Sequence, residues 1–131
     1  MNNKDLLTIS KKFGNPVYVY DSNKIESQFL RLKNAFSKIS NLRIHFAVKA
    51  LSNISILKFM KKLGTGLDTV SIQEVKLGLI AGFDPKKIIY TPNGVSFDEI
   101  EKVSKTGVQI NIDNLSLLEQ FGSKYPNTPV C

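Results

Sequence analysis

Residues 43–74 read RIHFAVKALSNISILKFMKKLGTGLDTVSIQE: a strand, a helix, a second strand and the opening turn of a second helix. Residues 43–49 (RIHFAVK) are short and rich in strand-forming side chains, and they predict a buried strand. Asn53 is a natural N-cap for a helix whose Ile56, Phe59, Met60 and Leu63 share one stripe, with Lys58, Lys61 and Lys62 elsewhere on its surface. Gly64 supplies the stop. Residues 67–70 (LDTV) form a short strand. Ser71 and Glu74 stand three apart at the next helix start, the spacing of a capping box.

The same grammar continues in both directions. Downstream, that helix ends at Gly82, residues 87–91 read as a strand, and Pro92-Asn93-Gly94 turns the chain. Ser96 and Glu99 repeat the capping box, and Gly107 ends that helix. Residues 108–112 are a strand, Asp113 or Asn114 caps the following helix, and Gly122 lies beyond its apolar stripe. Residues 128–131 (TPVC) then begin another strand. Upstream, residues 17–20 (VYVY) are β-prone, and Asp21 caps a helix carrying Ile25, Phe29, Leu32 and Phe36.

Strand ends recur at a near-constant interval: Lys49 to Ser71 is 22 residues, Ser71 to Asn93 is 22, and Asn93 to Asp113 is 20. Each step is one βα unit with short connections, the arrangement that builds parallel sheets. Two α/β architectures fit that pattern. One is a complete doubly wound sheet of about five strands. The other is an incomplete (β/α)8 TIM barrel, roughly its first half, since closure needs at least about 200 residues. A chain that stops while starting a strand favours the second.

Composition narrows the function classes. With 131 residues, 42% hydrophobic and 22% charged, the chain can pack one core. No apolar run approaches the ~18 residues of a membrane span, and the start (MNNKDLLTIS) lacks a signal-peptide core. Eighteen basic against eleven acidic residues give +7, yet the lysines are scattered and no arginine-aromatic cluster or zinc-finger spacing exists. The expectation is a solvated lysine surface, with neither nucleic acid nor membrane as partner. One cysteine, Cys131, fits a reducing cytoplasm. No metal-ligand spacing, Ser-His-Asp set or P-loop is present.

Both architectures place active sites at the carboxyl ends of parallel strands. On residues 43–49, alternation puts His45, Ala47 and Lys49 on one face and Ile44, Phe46 and Val48 on the other. Lys49 therefore stands at a strand's carboxyl end, where it either snorkels to water or serves chemistry.

The residues around it decide between those options. Phe46-Ala47-Val48-Lys49-Ala50-Leu51, followed by Ile56-Leu57, Met60 and Gly64, resembles the cofactor-lysine signature of the group IV amino-acid decarboxylases. These are pyridoxal 5'-phosphate enzymes with an alanine-racemase-like barrel. Further matches run in order: residues 15–21 (NPVYVYD), residues 64–71 (GTGLDTVS) with Glu74, Ala81-Gly82-Phe83, and Asn111-Ile112-Asp113. Leu51 departs from the pattern, because many relatives carry a polar residue there. Within the family, the opening Pro-x-Tyr-x-Tyr-Asp is most similar to the branch that decarboxylates meso-2,6-diaminopimelate to L-lysine. Siblings act on ornithine, arginine or carboxynorspermidine. A non-catalytic doubly wound binding domain is the alternative outside enzymes.

The resemblance implies specific roles. Lys49 is the catalytic residue and holds the pyridoxal 5'-phosphate aldehyde through its amine. An amine with the ordinary lysine pKa of about 10.4 is a poor nucleophile at neutral pH, so desolvation in a barrel mouth is expected to activate it. Asp68 is implied as a second cofactor-binding residue, on the strand beside the lysine; its alternative is a loop aspartate near a glycine turn. Glu74 matches a family glutamate, but capping accounts for it. His45 is expected inside the barrel without the family's stacking role, which falls on a later histidine. Asn93 and Asp113 are explained by turn and cap chemistry. Cys131 is not the family's late catalytic cysteine. The implied organisation is residues 1–20, carrying a strand (residues 17–20) that normally belongs to a second β domain, then residues 21–131 as a partial pyridoxal-phosphate-binding barrel. The full-length protein is expected to be a cytoplasmic homodimer acting on a small amino acid, and this chain alone to be inactive.

Overall fold

A computed structural model describes residues 1–131. The chain forms two compact units, Met1–Ser40 and Asn41–Cys131.

The first unit holds two helices. Helix α1 (Asn3–Phe13) starts at Asn2, whose side chain accepts from the Asp5 amide at 2.9 Å. The Asp5 carboxylate accepts from the Asn2 amide at 2.9 Å, completing a reciprocal box. The sequence reading assigns no helix here, because Asn-x-x-Asp is a weaker form of that signature and the apolar residues gather no buried stripe. Helix α2 (Ser22–Ala35) starts as expected at Asp21, which accepts from the amides of Asn23 and Lys24 and meets the Met1 ammonium at 3.2 Å. The Lys24 amide, then the ammonium, hold the Asp21 carboxyl below the usual range. Ile25 and Phe29 are half-buried, whereas Leu32 and Phe36 are exposed. Residues 17–20 take no regular secondary structure and join no sheet.

The second unit carries the repeated βα pattern. Strands β1 (His45–Ala47), β2 (Gly66–Thr69), β3 (Ile88–Tyr90) and β4 (Gln109–Ile110) alternate with helices α3 (Ile54–Leu63), α4 (Ile72–Ile80), α5 (Phe97–Ser104) and α6 (Leu115–Lys124). All neighbouring strands are parallel, in the order β1-β2-β3-β4. A doubly wound sheet reverses its strand order at a switch point. This sheet runs in sequence order without reversal, as barrel strands do. The backbone of Cys131 continues the series: its amide donates to the Ile110 carbonyl at 3.0 Å, and its carbonyl accepts from the Ile112 amide at 2.8 Å.

Register sorts the strand side chains onto two faces. Leu67, Ile88, Tyr90 and Ile110 are at most 2% exposed and pack with Leu57, Val75, Ile100, Val103 and Phe121 from the helices. The opposite face carries His45, Ala47, Gly66, Asp68, Ile89 and Gln109, and apart from buried Gly66 these are half-buried or exposed. Helices α3 to α6 thus pack on one face of the sheet. Where helix meets sheet the approach is close: a Cβ on Gly78 would lie 2.7 Å from Leu67 Cδ1.

Gly66 is tighter still. A Cβ there would collide with the His45 ring and sit 2.6 Å from the Lys87 carbonyl oxygen. Gly66→Ala is expected to destabilise the unit by about 1–3 kcal/mol through overpacking. Gly122→Ala, on α6 with open space around the new carbon, is expected to stabilise by about 0.4–1 kcal/mol. Urea midpoints of the two variants check the contrast; equal midpoints would contradict the close β1–β2 packing.

Candidate active site at the carboxyl edge of the sheet

Strand β1 ends at Ala47, and residues Val48–Ala50 form one 3-10 turn closed by the Leu51 amide on the Val48 carbonyl at 2.9 Å. That turn drives Val48 fully into the core, and the regular strand stops two residues before Lys49. Lys49 is exposed. The expected desolvation of its amine is not met within these residues, because the carboxyl edge of a four-stranded open sheet leaves that side uncovered.

Asp68 lies inside β2, beside Ala47 in register, and is half-buried. It is a strand residue and not a loop aspartate. Its Oδ1 accepts a hydrogen bond from the Thr91 hydroxyl, which follows β3. Thr91 is fixed in turn by its own amide, which donates to the Thr69 carbonyl at 2.7 Å. Asn111, just after β4, donates its amide to the Tyr90 carbonyl at 2.9 Å, and its Oδ1 is buried without a hydrogen-bond partner. Lys49, Asp68, Thr91 and Asn111 thus lie in or just after successive strands, along the carboxyl edge. The sequence reading weighs Asn93 on the third strand and misses Thr91. Counting the alternation of residues 87–91 to their end would have found it.

His45 lies on the same face as Asp68, lower down. Burial pushes its imidazole below the ordinary histidine value; the Asp68 charge opposes this and Arg43 adds to it. Glu74 and Glu99 both do structural work, with a correction to the capping boxes. The Ser71 and Ser96 hydroxyls accept from the Glu74 and Glu99 amides at 3.3 Å, as a box requires. The return bonds differ: Glu74 takes the Val70 amide at 2.8 Å, and Glu99 reaches across to the Ile72 amide at 3.0 Å and the Tyr90 hydroxyl at 2.9 Å. Asn93 and Asp113 are exposed, and the cap of α6 is Asn114, not Asp113. Cys131 is a free, exposed thiol. Two open clefts of about 500 Å³ lie elsewhere, one around Arg43, His45 and Lys87, the other around Val108, Pro129 and Cys131.

Lys49, Ala47 and Asp68 thus gather at the carboxyl edge of a parallel sheet that runs in sequence order, the edge at which barrels carry their active sites. The sequence profile described as "Pyridoxal-dependent decarboxylase, pyridoxal binding domain" matches residues 22–131. The chain belongs to that family.

Individual relatives agree. Diaminopimelate decarboxylase of Methanothermobacter thermautotrophicus is 37% identical over 123 residues, covering 93% of this chain and 29% of that protein. Among solved structures, diaminopimelate decarboxylase from Helicobacter pylori complexed with L-lysine superposes with a TM-score of 0.79 at 33% identity, over 95% of this chain and 32% of that one. Lysine/ornithine decarboxylase from Vibrio vulnificus complexed with putrescine gives a TM-score of 0.84 at 25% identity, over 95% of this chain and 34% of that one. The chain spans about 29% of the length of the curated relative it matches. No helix is long and apolar enough to cross a membrane.

Proposed function

We propose that these residues are the amino-terminal, lysine-bearing portion of a pyridoxal 5'-phosphate-dependent decarboxylase that converts meso-2,6-diaminopimelate to L-lysine and CO₂. The observation that carries this reading is Lys49 at the carboxyl edge of β1, one strand from the tethered carboxylate of Asp68, inside the matched family domain. The identity to diaminopimelate decarboxylases supports the substrate.

When bound, pyridoxal phosphate supplies an electron sink for the pair left on the substrate's α-carbon as CO₂ departs. The chain's residues bind and orient. Lys49 would hold the cofactor through its amine. Ala47 keeps the floor beside it low. Asp68, with Oδ1 bonded to Thr91, would keep its other oxygen for a cationic partner.

In this reading the full-length protein is a cytoplasmic homodimer. Exposed apolar side chains on residues 1–20, among them Leu7, Phe13 and Tyr18, support a covering partner surface. The similarity to a lysine/ornithine decarboxylase supports one second reading, a sibling activity on ornithine. The test is CO₂ release from each amino acid, by residues 1–131 and by the longest reading frame that contains them. Turnover of meso-2,6-diaminopimelate by the longer protein and none by residues 1–131 is the expected result. Preference for ornithine transfers the assignment to the sibling, and turnover of neither overturns both.

A further inference from the structure

We propose that Thr91 is a positioning residue for the cofactor site: its hydroxyl fixes the Asp68 carboxylate in one orientation facing the edge that carries Lys49. This rests on the reading of Lys49 and Asp68 given above and extends it to a residue outside the family signature.

A threonine hydroxyl donates once, and two acceptors lie within reach, Asp68 Oδ1 and the Thr69 carbonyl at 3.4 Å. The Thr69 carbonyl already receives the Thr91 amide at 2.7 Å. A charged acceptor makes the stronger bond, so the proton goes to Asp68. Asn111 Oδ1 has no partner and does not compete. Thr91 is itself rigid: its main chain is bonded to β2, and its β-branched side chain has few open rotamers. Asp68 sits in β2 between β1 and β3, with Ala47 on one side and Ile89 on the other, neither of which can bond to it. Thr91 is thus the only side-chain hydrogen-bond donor on the carboxylate. Without it, Asp68 is free to exchange rotamers on a half-open face.

The test compares wild type, Thr91→Val, Thr91→Ser, Asp68→Asn and the Thr91→Val/Asp68→Asn double variant. The first readout needs no cofactor. Three-bond couplings across the Asp68 Cα–Cβ bond are expected to report one rotamer in wild type and Thr91→Ser, and averaging in Thr91→Val. A single unchanged rotamer in Thr91→Val overturns the proposal. The second readout is the yield of borohydride-reduced pyridoxal 5'-phosphate adduct on Lys49, relative to the other lysines of the same sample. The Lys49 amine adds to the aldehyde carbon with loss of water, and hydride from borohydride fixes the link as a secondary amine. Thr91→Val is expected to lower that ratio about three- to tenfold, the scale of one ordinary hydrogen bond, with recovery in Thr91→Ser. In the Asp68→Asn background, Thr91→Val is expected to cause no further loss. A further loss there would mean that Thr91 acts through the sheet and not through Asp68, and would overturn the proposal. If wild type shows no preference for Lys49, the reading of Lys49 falls, while the rotamer measurement still decides Thr91.

Discussion

Lys49→Ala in the longest protein that contains this chain is expected to reduce decarboxylation on the order of 10³-fold or more, because it removes the covalent anchor and not merely a contact. The fold gives little reason for collateral damage. Lys49 is exposed, makes no ion pair and lies in a turn whose closing bond runs between main-chain atoms of Val48 and Leu51. Thermal stability is therefore expected to stay within about 0.5 kcal/mol of wild type, as for other surface substitutions. Lys58→Ala, Lys61→Ala and Lys62→Ala, on the exposed side of α3, serve as controls and are expected to leave turnover unchanged. Substrate turnover near the wild-type rate in Lys49→Ala would remove the residue from the chemistry.

Glu99→Ala is expected to be the costliest single polar substitution in the sheet-bearing unit, at about 2–4 kcal/mol. One carboxylate oxygen accepts from both the Ile72 amide at the start of α4 and the Tyr90 hydroxyl at the end of β3. Tyr90 is fully buried, so losing Glu99 leaves a hydroxyl in the core without a partner. Tyr90→Phe alone is expected to cost only about 0.5–1.5 kcal/mol, because Glu99 keeps the Ile72 amide. In the Glu99→Ala background the same change is expected to be neutral or stabilising, since it removes the orphaned group. Additive losses would contradict the shared acceptor. The pair also sets an alkaline limit. Burial, then the bond to Glu99, push the Tyr90 phenol well above its ordinary value near 10. A group raised in the folded state contributes stability that is complete below its unfolded value and lost as pH rises beyond it. Stability is expected to decline above about pH 10, more steeply in wild type than in Tyr90→Phe.

Much of this is legible in the sequence. The 22-residue spacing gave the βα repeat, and caps at Asp21, Asn53, Ser71, Ser96 and Asn114 stand where the residue types demand. Local chemistry dictates such features, so local sequence reports them. The choice between a doubly wound sheet and a barrel was open on pattern alone, because it depends on strand order, a long-range property. The destination of Glu99 was hidden for the same reason: a capping-box glutamate and one bonded 27 residues away read identically. Thr91 was overlooked because its partner is 23 residues distant. The exposure of Lys49 could not come from alternation, which names a face and says nothing of what covers it.

The central claim is that the Lys49 nitrogen, and no other lysine, takes the pyridoxal aldehyde. Borohydride reduction of the full-length protein with pyridoxal 5'-phosphate, followed by peptide mass mapping, tests it most directly. One stoichiometric adduct is expected, on the peptide holding Lys49. An adduct on a different lysine, or one spread evenly over the surface lysines, would contradict it.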